Sequence, residues 1–336
     1  MFSIERWMKE LVNTFKMHER RIATVERKEE THDAFYIRGQ DVSTTVPYSD
    51  QVLSFINSVW TPTYVYNIPN ITNSFAGGRL TLTTNVPVTS ADVTAAATLY
   101  YTPYKGNQIS LLVSGSGWVM RFFTQLSISL AGLAANKNFD VFIYDVAGTA
   151  TIALTEWTND STRASAISLY EGIYVKTLDP FQRYVGTIRT LAVGQTEDSV
   201  TRRFVWNAYN KEMRSFSLSE VTSHTYNGVT RPWNNDTAVR TGWVNGLIQG
   251  IRLDVTLLLY CTVAGATTFG GLGVDTTTVI NNDIGAVYNY NANFLGAGSG
   301  GSVILAPGYH YAQGLERGTD AGSTFSQIYL KGFINA

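Results

Sequence analysis

Along the first thirty residues, apolar side chains recur every seven positions: Met1, Met8, Phe15 and Ile22 at one heptad position, Ile4, Leu11, His18 and Val25 at the other. All but His18 are apolar and no Gly or Pro interrupts the run, which predicts a coiled-coil helix over residues 1–30. Arg21 then takes a g position and Glu26 the following e position, so the two can pair between neighbouring parallel helices. The competing reading is a helix packed on its own domain. His18 reads as a polar seam residue that fixes register, against a ring of imidazoles holding an anion or water on the axis. Trp7 and Val12 widen the apolar face beyond a narrow seam, as a docking face or as ordinary bundle packing.

After Glu30 the period is lost. Between Thr31 and Gly78, β-prone pieces (FYIRG, WTPTYVYNI) alternate with Pro47, Pro62 and Pro69, so residues 31–78 read as a connector, or as the source of an extra strand for the next domain. Within it, SDQVLSFINSVW predicts a short amphipathic helix capped by Ser49 or Asp50. Three hairpins follow: NQISLLV with WVMRFF across Ser114–Gly117, FDVFIYD with TATIALTEW across Ala147-Gly148, and GIYVK with RYVGTIRT across Leu178-Asp179-Pro180. Consecutive hairpins need no crossover helix, so residues 79–215 predict an antiparallel β-domain. Further on, IRLDVTLLLY places Ile251, Leu253, Val255, Leu257 and Leu259 on one face and Arg252, Asp254 and Thr256 on the other. The glycine-rich TTFGGLGVDTTT and NFLGAGSGGSV read as long loops between such strands. The expected fold is mainly β: a coiled coil (1–30), a connector (31–78), a central β-domain (79–215) and a jelly-roll-like C-terminal sandwich (216–336).

LTTNVPVTSADVTAAATLYYTPYKGNQISL, NFDVFIYD, EGIYVK and DSVTRRFVWNAYN resemble a recurrent module of tailed-bacteriophage structural proteins. The likeness continues more weakly into APGYHYAQGLERGTDAGSTF and contains no catalytic signature. It implies a bacteriophage virion protein: a tail fibre or a head or tail decoration protein, commonly three-fold. The expected oligomer is therefore a trimer built on Ile4, Met8, Leu11, Phe15, His18, Ile22 and Val25. Trp7 and Val12 would dock on other virion proteins. Bulky Phe15 and His18 in the seam also suit a tight dimer poorly.

Composition narrows the chemistry. A net charge of -1 gives no basic field for nucleic acid. The single Cys261, inside VTLLLYCTV, reads as a buried inert thiol and excludes a disulfide within one chain. No long apolar run or apolar leader points to a membrane span or signal peptide, so the expected setting is assembly in the host cytoplasm and use in the virion. With 15% charged residues, 29 Gly and 19 Tyr, the surface is built more from Ser, Thr, Asn and Tyr than from Lys and Glu.

Gly296, Gly298 and Gly301 satisfy GxGxxG but lead into the β-prone SVILA, where no helix N-terminus receives a phosphate. Ser114 and Ser116 belong to a hairpin, not a nucleophile elbow. His18, His32, His224 and His310 lack metal spacing, and Asp275, Asn281, Asn282 and Asp283 read as solvated turns before a cation site. The expectation is no catalytic residue, no cofactor and no metal. Loops around Phe269–Asp275, Asn289–Gly301 and Tyr309–Tyr311 are the candidate contact surface for a host glycan or protein, through Tyr288, Tyr290, Phe294, Tyr309, His310 and Tyr311. Against this stands a core strand at Tyr309–Tyr311, with His310 in a satisfied hydrogen bond. The alternatives in function are a glycan-binding or glycan-degrading tailspike and a capsid cement or baseplate protein.

Overall fold

A computed structural model describes residues 8–17, 36–37, 40–45, 51–64, 74–263, 265–284, 286–290 and 294–336. The chain divides into two compact units, Met1–Pro69 and Asn70–Ala336.

In the first unit, residues 8–17 are helical and exposed throughout. Four strands pair in the spatial order Tyr36–Ile37, Gln40–Val42, Val59–Tyr64, Gln51–Ile56. The segment expected as a helix capped by Ser49 or Asp50 is instead the hairpin Gln51–Ile56 with Val59–Tyr64. Asn57 and Ser58 both have positive φ (52° and 66°), the two-residue turn whose twist matches paired strands. Phe55 then faces Trp60 across the ladder, ring centroids 5.2 Å apart. The turn decides between two periods that an apolar stretch this short cannot distinguish by itself.

The second unit is mainly β, and its three expected hairpins form: Gln108–Val113 with Gly117–Phe122, Asn138–Val146 with Thr149–Glu156, and Ile173–Lys176 with Asp179–Ala192. Positive φ at Gly115, Gly117, Ala147 and Gly148 makes the first two reversals. In the third, Lys176 pairs with Asp179, so Thr177 and Leu178 form the turn and Pro180 already stands in the strand.

The expected boundary near residue 215 does not divide this unit. One sheet runs Thr149–Glu156, Asn138–Val146, Asp179–Ala192, Gln195–Asp198, Arg202–Arg203, Arg240–Asn245, Gly308–Gly318, Thr267–Val274, Ala286–Tyr290. The short parallel pairing of Arg202–Arg203 with Arg240–Asn245 carries it across residue 215. Strand Asn138–Val146 explains the continuity. Its Phe139, Val141 and Ile143 enter a core with Leu80, Leu99, Ile109, Leu111 and Ile188, whereas Phe142 enters a second core with Tyr184, Trp206, Trp243 and the Leu253–Leu259 face. A strand buried on both faces joins two cores and leaves no seam to part.

A second sheet orders Met213–Glu220, Ser323–Asn335, Gln249–Cys261, Phe294–Leu305. Ile251, Leu253, Val255, Leu257, Leu259 and Cys261 are buried as the alternation requires, and Cys261 Sγ contacts the Val263 carbonyl. The two glycine-rich stretches expected as loops are strands of these sheets, Thr267–Val274 and Phe294–Leu305. Their glycines serve close approach. A Cβ at Gly270 would lie 2.5 Å from Leu257 Cδ1, and one at Gly301 would overlap the Asp283 carbonyl oxygen. Gly301→Ala is therefore expected to cost about 1–3 kcal/mol in urea unfolding. Gly250→Ala, with open space at its Cβ, should cost less than about 0.5 kcal/mol. Equal effects at the two sites would assign the glycines to flexibility after all.

Candidate functional site

Strand Gly308–Gly318 lies between Arg240–Asn245 and Thr267–Val274. His310 is buried, its Nδ1 2.7 Å from Asp275 Oδ2 and its Nε2 2.8 Å from the Ala306 carbonyl oxygen. Asp275 Oδ1 also accepts the Tyr311 N–H at 3.0 Å. That carboxylate is committed to fixing one ring and one backbone amide. Among the described residues, no group of three or more His, Cys, Asp or Glu gathers as for a metal ion.

Tyr309 and Tyr311 are half-buried, ring centroids 6.2 Å apart. The Arg189 guanidinium lies 3.8 Å from the Tyr309 centroid, Phe204 meets Tyr309 edge-on, and Arg240 lies 5.0 Å from the Tyr311 centroid. Arg189 is held in turn by Asn138 Oδ1 at 2.9 Å and Asp160 Oδ1 at 2.6 Å. Cation–π contacts on both rings occupy surface that a ligand would need. Burial, then the Asp275 charge, raises the Tyr311 hydroxyl pKa.

A second cluster surrounds a pocket of about 200 Å³ lined by Thr89, Ser90, Ala91, Asp92, Arg203 and Arg214, among others. Arg203 Nη1 and Arg214 Nη2 donate to the two oxygens of Asp198 at 2.8 and 3.0 Å. Arg214 also donates to the Thr89 carbonyl at 2.7 Å, and Arg79 to those of Pro87 and Asn210 at 3.0 and 2.7 Å. Burial, with the nearby Arg214 charge, lowers the Arg79 pKa to about 10. Asp92 on the rim accepts the Val200 N–H at 2.9 Å. These guanidiniums fasten the loop after strand Gly78–Thr81 to the sheet, and they do so largely through backbone carbonyls.

The third cluster centres on Glu316, which is fully buried and receives Arg231 Nε at 2.8 Å and His224 Nε2 at 2.5 Å. His224 Nδ1 faces the Thr222 carbonyl at 3.2 Å, and its ring stacks on Phe325 and meets Trp233 edge-on. Burial pulls the imidazole pKa down. The hydrogen bonds to Glu316 and Thr222, with the Glu316 charge, outweigh it, and the net shift is upward.

Of the sites read from sequence, Met8, Leu11, Phe15 and Val12 lie on the exposed helix. Ile4, Trp7, His18, Ile22 and Val25 fall outside the described residues. Tyr288 and Tyr290 lie on strand Ala286–Tyr290 and Phe294 opens the next strand, with their side chains outside the description. Tyr309, His310 and Tyr311 sit within a sheet and not in a loop. The arginine clusters escaped sequence reading, although paired arginines in an otherwise apolar strand (TRRFVW) signal that buried acceptors await them.

No protein-family model and no curated protein matches the chain. Among solved structures it is similar to infectious bursal disease virus, Gx strain, with TM-score 0.27 and 14% identity over 77% of this chain and 72% of that one. It is also similar to the VP2 subviral particle of infectious bursal disease virus, with TM-score 0.28 and 12% identity over 80% and 76%. A Bacillus thuringiensis Cry1Da tryptic core variant follows, with TM-score 0.21 and 7% identity over 72% and 48%. At such TM-scores these likenesses carry no argument about role.

The His224 cluster makes a pH prediction. A raised folded-state pKa contributes stability that is fully present below the ordinary imidazole value near 6.5 and is lost as pH rises through the raised value. The midpoint of urea unfolding should therefore fall on going upward through neutrality, and His224→Gln should flatten that slope. An unchanged slope would assign the titration elsewhere.

Proposed function

We propose that this chain is a structural protein of a bacteriophage particle, an oligomer joined through its N-terminal helix that displays residues 74–336 as a rigid β body. A trimer is the favoured state and a fibre or head or tail decoration protein the favoured role. One observation carries the assembly: on the helix at residues 8–17, Met8, Leu11 and Phe15, spaced three and four apart, are 55%, 40% and 64% exposed. Apolar residues so spaced form one stripe, and burying each against a neighbouring helix contributes about 1.5–3 kcal/mol. The same positions are the a and d sites of the heptad pattern that runs through residue 25.

The phage reading is supported by the segments that resemble phage structural proteins. They form a framework held by committed contacts: the loop of LTTNVPVTSADV is tied by Arg79 and Arg214, and NFDVFIYD joins the two cores. Rigid, densely tied sheets suit a part that bears load and presents a fixed surface.

Deleting residues 1–30 is expected to reduce the sedimenting mass while circular dichroism retains its β signature. An oligomer of unchanged order would shift assembly to the β body. The particle is tested separately through Trp7 and Val12, the latter 48% exposed. Changing both to Ser removes about 1.5–3 kcal/mol of burial for each and is expected to lower the chain's content in purified virions at least about tenfold. Normal incorporation of the double variant would overturn docking through this face.

A further inference from the structure

The second sheet of the Asn70–Ala336 unit ends on strand Phe294–Leu305. Its register with Gln249–Cys261 runs unbroken from Leu305 opposite Gln249 to Phe294 opposite Tyr260. Among the described residues no strand pairs with its other side. Alternate backbone N–H and C=O groups of that edge therefore point away from the sheet, as a template for another strand. Edges of monomeric proteins are guarded by charge, proline, a bulge or shortness. FLGAGSGGSVIL is 12 residues long and has no charged residue and no proline, and its ladder shows no bulge.

We propose that Phe294–Leu305 pairs antiparallel with the same strand of a second copy of this chain, extending the sheet across a two-fold axis at Ser299. The sequence of the edge selects this partner. Antiparallel pairing sets residues of like parity opposite one another on one face. Centred on Ser299, it places Gly298 opposite Gly300 and Gly296 opposite Ser302 on the outer face, with position 294 in register with Ile304. On the inner face it places Leu295 opposite Val303 and Ala297 opposite Gly301. Each apolar position meets an apolar one and each small position a small one. No like charges meet, and Arg252 and Asp254 on the neighbouring strand are already paired with each other at 2.8 Å.

Ile304 is 79% exposed in the single chain, an apolar side chain without cover at the end of this edge. Gly296 and Gly298 keep the outer surface low, and a Cβ at either would make only ordinary contacts at 3.4 Å. A two-fold contact of this kind is self-complementary and closes after two copies. It uses none of the residues of the N-terminal helix, so it holds whether or not that helix makes a trimer. With the trimer, it joins two trimers.

The register supplies its own test in the full-length chain. Gly296→Lys with Ser302→Lys sets lysine against lysine at two symmetric places, and Gly296→Glu with Ser302→Lys sets glutamate against lysine at the same two. By sedimentation equilibrium the Lys/Lys variant is expected at about half the wild-type mass and the Glu/Lys variant at the wild-type mass. Equal masses for wild type and the Lys/Lys variant would overturn the pairing. Hydrogen exchange of the unaltered protein decides independently of whether the variants fold. Alternate amides of residues 294–304, those that point away from strand Gln249–Cys261, are expected to lose protection on dilution, and exchange there that is independent of concentration would likewise overturn it.

Discussion

The larger unit depends on one buried ion pair where its two cores meet. Asp140 is buried on strand Asn138–Val146 and receives Arg163 Nε at 2.6 Å and Thr187 Oγ1 at 2.8 Å. Arg163 reaches onward to the Gly246 carbonyl and lies 4.3 Å from the Trp157 ring centroid, and Tyr184 bonds Thr187 at 2.6 Å. Chain segments from four parts of the sequence are thereby held at one point. Burial raises the Asp140 pKa, and Arg163 and the hydrogen bonds oppose that rise. Both charges have already given up water, so removing either partner leaves the other stranded at a cost of about 3–5 kcal/mol.

Arginine repeats this role elsewhere. Arg183, fully buried, donates to the carbonyls of Ser74, Phe75 and Ser110, and Arg203 to that of Ser215. A planar guanidinium with five donors satisfies several carbonyls at once, which the point charge of lysine does less well. The carbonyls so reached lie both in the segment before strand Gly78–Thr81, at Ser74 and Phe75, and within strands, at Ser110 and Ser215. Arg79, Arg183, Arg189 and Arg203 are all buried.

The same economy shapes the outer surface. Glycine replaces bulk where sheets or loops approach closely, as at Gly270 and Gly301, and leaves a low, uncharged edge at Phe294–Leu305. A β body of this kind contributes rigidity, and its association is governed by whichever strands and apolar stripes lack cover. The exposed stripe on the N-terminal helix and the open strand edge are two such places, made by different physics: side-chain burial in one, backbone hydrogen bonding in the other.

By itself the sequence determined what local pattern controls. Period two in IRLDVTLLLY fixed which side of that strand is buried. Glycine at Gly115, Gly117 and Gly148 fixed two reversals, because positive φ costs glycine little. The burial of Cys261 followed from its apolar run. Only tertiary structure decided whether glycine-rich stretches were loops or strands, because a glycine that permits flexibility and one that permits contact are identical in sequence. It also turned SDQVLSFINSVW into a hairpin and merged two expected domains, since Phe139 and Phe142 enter different cores, one from each face of a single strand. The site residues divided in the same way: the common stripe of Met8, Leu11 and Phe15 follows from their heptad spacing, whereas the fate of His310 depended on Asp275, 35 residues away in sequence and 2.7 Å away in space. Long-range partners of this kind leave no periodicity behind, because the chain between them is free to vary while the contact stays fixed.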